Sequence, residues 1–169
     1  MKLGRRTSRL PSEIRSELPG GEPPLAAAEL VDGEWAVATA GALVVAGPDG
    51  VTARHPWHTI EQGRWDGDTR TVTVTWVEGS VEPLQLRTAT DDVATFTSAL
   101  RERVQSSVVH SEVTETPGGA HIHVYIRRDE HGALLSQVTA TGPLRGDEAE
   151  NRQINELERR ARSTVGLDT

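Results

Sequence analysis

Cysteine is absent from the 169 residues. Disulfides, thiolate metal ligands and a cysteine nucleophile are therefore excluded, and a reducing compartment is expected. Aromatic side chains are few, with one Phe, one Tyr and four Trp. The core must be built from Val, Leu, Ala and those indoles. No apolar run approaches the length that spans a bilayer. Met1-Lys2-Leu3-Gly4-Arg5-Arg6 is charged as the start of a signal peptide is, but residues 7–24 are polar and rich in Pro and Gly. The sequence predicts a cytoplasmic protein.

Catalytic motifs are missing as well. There is no Gly-x-Ser-x-Gly elbow, no phosphate-cradling Gly loop before a helix and no His-Glu-x-x-His. Asp66 and Asp68 straddle Gly67, a pattern of hairpin turns and not of acid–base dyads. Ser106, Ser107 and Ser111 lie near His110, without a third group to orient them. The reading is non-enzymatic, with no cofactor.

Positive charge is scarce beyond the start of the chain. Residues 1–24 sum to +2, residues 25–106 to −6 and residues 107–169 to −3, for a net −7. Such a body repels polyanions at long range, which disfavours nucleic acid and anionic membranes as general partners. Lys2, Arg5, Arg6 and Arg9 precede the first acidic residue, Glu13, and are the one basic cluster for an RNA or ribosome contact.

Short alternating strands broken by Gly-containing turns fill residues 25–88. The pattern predicts seven strands near 25–31, 34–39, 42–46, 51–55, 58–65, 70–77 and 82–88. Val72, Val74 and Trp76 share one face of the clearest strand, and Thr71, Thr73 and Thr75 the other. Asp91-Asp92 opens a helix whose stripe is Val93, Phe96, Leu100 and Val104. Trp76 and Phe96 are expected to meet in one core. Ahead of this body, Leu10, Ile14 and Leu18 mark a short helix with Ser12 placed to cap it, and Pro19-Gly20-Gly21-Glu22-Pro23-Pro24 reads as a linker separating that arm.

Past Ser106 the pattern predicts strands over 108–114, 120–128 and 133–141. A last helix follows, with Asp147 and Glu150 at capping-box spacing. Its line Ile154, Leu157, Ala161 and Val165 needs a cover, and strand 120–128 is expected to present an edge. Two covers satisfy that line: a second copy in a homodimer, or the extension's own sheet.

The order of seven strands and a closing helix resembles the pleckstrin-homology-like superfold, in particular bacterial PH-like domains. The resemblance is carried by the hairpin from Ala27 to Ala38, the strand from Thr71 to Val77 and the helix 91–104. The chain also resembles a group of actinobacterial proteins, through Trp57-His58, Arg64-Trp65-Asp66 and Arg103-Val104-Gln105-Ser106-Ser107-Val108-Val109, a likeness that implies no activity. The PH-like resemblance implies an α+β, mainly β fold: a seven-stranded open barrel or sandwich over 25–106 with a C-terminal helix. An arm and linker over 1–24 would precede it, and a β-strand and helix extension over 107–169 would pack on the body or on a second protomer. It also implies a binding module for headgroups, phosphopeptides or proteins. A phosphoinositide site needs cations in the first hairpin. Glu29, Asp32 and Glu34 stand there instead, so a protein partner or self-association is the expectation.

Candidate binding residues follow from these readings. Arg64 and Arg70, either side of the Gly67 turn, would form a cation patch with Trp65, since Trp65 and Arg70 are placed as cross-strand neighbours. Ile154, Leu157 and Ala161 would contact a partner. His121 and His123 project from one strand face, and with His110 on a neighbouring strand they form a three-ligand metal candidate, an alternative reading as a metal or small-ligand binder. In His55-Pro56-Trp57-His58, Pro56 makes a corner and Trp57 buries there. Arg159, Arg160 and Arg162 alternate with Glu156 and Glu158 as a solvated helix face.

Overall fold

The structure, a computed structural model, describes residues 9–167. These contain ten strands in three antiparallel sheets, so the protein is mainly β with helices. No described helix is long and apolar enough to cross a membrane. The chain divides into two compact units, one ending at Gln105 and the other beginning at Ser106.

In the first unit, β1 (Ala26–Glu29), β2 (Trp35–Ala38), β3 (Ala42–Gly47) and β4 (Gly50–Pro56) form one sheet in chain order. A second sheet orders β5 (Ile60–Asp66), β6 (Thr71–Trp76) and β7 (Leu84–Arg87). The β1–β2 turn works because Gly33 adopts φ 88° while the Asp32 carboxylate accepts the Glu34 N–H at 3.0 Å. A single bridge between Leu30 and Thr88 joins the two sheets at one corner. At the other, β4 and β5 are linked only through the 3-10 turn Trp57–Thr59, so the barrel is not closed. Trp57 is buried there and its indole N–H donates to the Thr39 carbonyl at 3.0 Å.

Helix α2 (Ala94–Ser107) lays Phe96, Leu100 and Val104 into a core shared with Ala36, Leu43, Ile60, Val72, Val74 and Leu86. Phe96 sits within it, 1% exposed. Trp76 packs against the same core, from its rim and not at that depth. It is half-buried at the rim, its ring 4.5 Å from His55 and its N–H given to the Glu82 carbonyl at 2.8 Å. A strand-end indole reaches a carbonyl more readily than the centre of the core.

His55 is held below its ordinary value near 6.5 by burial. A histidine depressed in the folded state binds its proton more readily unfolded, so stability is complete above that value and falls as pH drops through it. Urea midpoints of the full chain are expected to fall from about pH 7 to about pH 5.5, and the decline to flatten in His55→Gln. Equal slopes in both proteins would refute the assignment.

The arm is part of the first unit, not an appendage separated by a linker. In helix α1 (Ser12–Ser16) the N-cap position is held by Pro11, with no side-chain capping bond, because Ser12 is already helical. Leu10, Ile14 and Leu18 are buried in a second core with Trp35, Val37, Ala42, Val44 and Ala46. The expected linker is itself tied down: Pro19–Gly21 forms a 3-10 turn and the Glu22 carboxylate accepts the Gly41 N–H at 3.2 Å. The four-stranded sheet is therefore covered on both faces, which is why every residue of β2 and β3 is buried.

The second unit orders β8 (Val108–Glu115), β9 (His121–Arg128) and β10 (Leu134–Thr141) as β10-β9-β8, with α3 (Glu148–Thr164) on one face. Asp147 caps α3 by accepting the Glu150 N–H at 2.8 Å, and the Glu150 carboxylate accepts the Gly146 N–H at 2.7 Å. Of the two covers open to the Ile154, Leu157, Ala161 and Val165 line, the unit uses its own sheet. These side chains pack on Ala120, Ile122, Val124 and Ile126, and Ala161 has no exposed surface. The strand expected to present an edge, β9, is the central one, bonded on both sides, because β8 and β10 flank it.

Candidate functional site

Strand β5 has β6 on one side and no strand on the other. On the core face of that strand, α2 comes close at Gly63. A Cβ on Gly63 would clash with the Leu100 side chain, so glycine lets the helix seat this close without displacing Leu100. The register pairs Gly63 with Val74 and Trp65 with Val72, turning both toward the core, while Arg64 pairs with Thr73 on the opposite face. Where helix and strand part, they leave a cleft of about 460 Å³ lined by Gln62, Gly63, Arg64, Trp65, Leu100 and Arg101, among others. Its charged liners are Arg64 and Arg101, both exposed. Trp65 gives an apolar, half-buried wall, and the strand edge offers backbone donors and acceptors.

Arg64 thus belongs to this cleft, but Arg70 does not. The expected Trp65–Arg70 pairing fails because four residues, Gly67 to Arg70, make the turn, and the register closes on Asp66 opposite Thr71. Arg70 takes φ 51°, rare for a residue with a Cβ, and its carbonyl accepts both the N–H of Thr88 at 2.8 Å and its hydroxyl at 3.2 Å. Its guanidinium reaches the Ala89 carbonyl at 3.5 Å and lines a separate polar cleft with Arg87 and Gln85. Among the described residues, a cation–π contact lies elsewhere, with Arg127 over the Tyr125 ring at 5.4 Å.

The histidines are divided by the sheet of the second unit. His110 lies opposite Ile126, on the face covered by α3, and its Nε2 is 3.2 Å from Glu112. His121 and His123 occupy the other face of β9, where the His123 ring stacks on Tyr125 at 5.9 Å. The three-histidine arrangement is therefore not assembled, since strand register sends His110 to the wrong side. Among the described residues, no group of three or more His, Asp or Glu side chains is placed to hold a metal ion. Glu112 serves structure instead. The hydrogen bond from Arg160 holds its carboxyl below the usual range against the opposing effect of burial, and His110 adds to the lowering.

Leu157 and Ala161 sit in the core of the second unit and Ile154, partly buried, packs against it, so most of their surface is spent within the chain. Arg9 is exposed, whereas Lys2, Arg5 and Arg6 lie outside the described residues. In the first hairpin the Glu34 carboxylate accepts the Thr52 hydroxyl at 2.7 Å, and the acidic character read from the sequence stands. Sequence reasoning missed Gly63 and Arg101. A glycine inside an alternating strand was the available signal for the first, since it marks a close approach; Arg101 carried none.

No family model, curated protein or solved structure matches the chain.

Proposed function

We propose that the first unit is a PH-like interaction module, without catalytic activity, that binds an extended segment of a partner protein along the free edge of β5. The element order supports the fold reading: a sheet of four strands, a sheet of three, then one helix. The observation that carries the binding reading is the cleft where Gly63 lets α2 approach an edge strand that has no neighbour. A guest strand would take its affinity from main-chain hydrogen bonds and its specificity from side chains in the cleft. Arg64 and Arg101 favour a carboxylate on that guest, while Glu61 and Asp66, exposed on the same strand, disfavour non-selective pairing. An acidic first hairpin argues against phosphoinositide headgroups.

A random-peptide display library selected on the full chain tests this. Selected peptides should carry Asp or Glu, and should perturb the amides of residues 61–66 and 97–101 in NMR spectra. Charge reversal in Arg64→Glu/Arg101→Glu is expected to weaken them about tenfold or more, roughly 1.4 kcal/mol. Peptides that perturb the Arg70 and Arg87 cleft or the second unit instead would overturn the reading.

A further inference from the structure

The sheets of the described residues end in six edge strands, and five of them carry features that discourage pairing. β1 and β7 have only four residues each. β4 pairs across a register shift at Val45/Ala46 and holds Arg54 and Pro56. β5 has a shift at Ile60/Gln62 and three charges, and β8 has a shift at Val108/His110 together with Glu112 and Glu115. Shortness, bulges, proline and charge are the devices by which proteins keep edges from joining.

β10 has none of them. It runs for eight residues, Leu134-Leu135-Ser136-Gln137-Val138-Thr139-Ala140-Thr141, without a charge or a proline, and pairs with β9 residue for residue with no shift. It also exposes apolar surface, with Val138 39% accessible. An edge this long, regular and neutral is a template for another strand.

We propose that β10 joins two copies of this chain, pairing antiparallel with β10 of the second copy about a two-fold axis at Val138. The register follows from the faces. Val138 pairs with Val124, which faces α3, so Val138 lies on the helix side of the sheet. Directly opposed residues share a face, so placing Val138 against its own copy keeps both α3 helices on one side of a continuous sheet. Ala140 then opposes Ser136 and Thr139 opposes Gln137, with like faces matched throughout. A register one residue away would set helix-side residues against those of the other face. The pairing covers the exposed Val138 with a β-branched twin, a favourable cross-strand contact.

A second copy suits this edge better than a foreign strand. With no charge, β10 meets its own antiparallel image without repulsion, whereas β8 paired with itself would concentrate its glutamates. β10 also offers no charged group by which to select a foreign sequence. The proposal does not rest on the β5 reading, which concerns another strand in the other unit.

The absence of cysteine makes the test direct. Opposed residues in an antiparallel pair have Cα atoms about 4.5–5.5 Å apart, within the range of about 4.4–6.8 Å that a disulfide spans. Val138→Cys should cross-link under mild oxidation, and Val113→Cys, at a 58% exposed position on β8, should not. Light scattering on the unmodified chain should give twice the 18.3 kDa mass. Val138→Lys should halve it, and Val113→Lys should leave it unchanged. Were Val138→Lys to unfold, the cross-linking pair still decides. A monomer at high concentration, or cross-linking at Val113 and not Val138, overturns the proposal.

Discussion

Replacing Ile14 with aspartate is expected to lower the stability of the first unit by about 4 kcal/mol or more and to cause aggregation, since it buries a charge with no partner and strips apolar cover together. Ile14 is 3% exposed, in contact with a core built on Trp35, Val37 and Val44. These residues occupy the face of the four-stranded sheet that the main core does not cover. Without α1, that face would form a contiguous apolar patch of the kind that drives association. Ile14→Ala should cost about 2–5 kcal/mol by cavity formation, and Ser16→Asp, on an exposed position of the same helix, should be nearly neutral. Urea titration of the three variants checks the order. A loss below about 1 kcal/mol for Ile14→Asp would mean that the arm does not cover the sheet.

Gly63→Val should be nearly as damaging, at about 3 kcal/mol, with Gly63→Ala at about 1–3 kcal/mol. The clash falls on the side chain of Leu100, which is 2% exposed, so it must shift within a packed core. Shortening that side chain should relieve it. Gly63→Ala/Leu100→Ala is therefore expected to cost less than the sum of its parts, with a coupling of about 0.5–3 kcal/mol. Additive losses would show that helix and strand do not meet as described. Because Gly63 also shapes the cleft, Gly63→Ala should weaken any peptide that perturbs residues 61–66.

Much of the local structure was legible because it depends on near neighbours. Gly-containing turns together with period-two alternation in the clearest strands marked all seven strands of the first unit, and the Val93, Phe96, Leu100 and Val104 stripe marked α2, each within a few residues of its boundary. Asp147 declared the start of α3 because an N-cap needs only an oxygen and an amide three residues on. In the cleft, Arg64 was legible as an exposed cation beside a half-buried Trp65. Arg101 was not, since its place beside β5 depends on where α2 docks.

What only the tertiary structure decided is which surface meets which. Alternation says that a strand has two faces, not what covers either, so nothing local told that Trp35 and Val37 meet the arm while Ala36 between them meets the main core. Strand order is likewise non-local. β9 looked like an edge because its composition is apolar, yet the hydrogen bonds that place it at the centre come from segments on both sides. The same registers sent His110 to one face and His121 and His123 to the other, and left β10, uncharged and unremarkable as sequence, at an edge of its sheet. Sequence by itself determined the elements and their apolar faces, since these follow from backbone geometry and side-chain period. Pairing and packing settled edges, covers and sites, since a hydrogen bond or a contact across the fold is a property of two segments together.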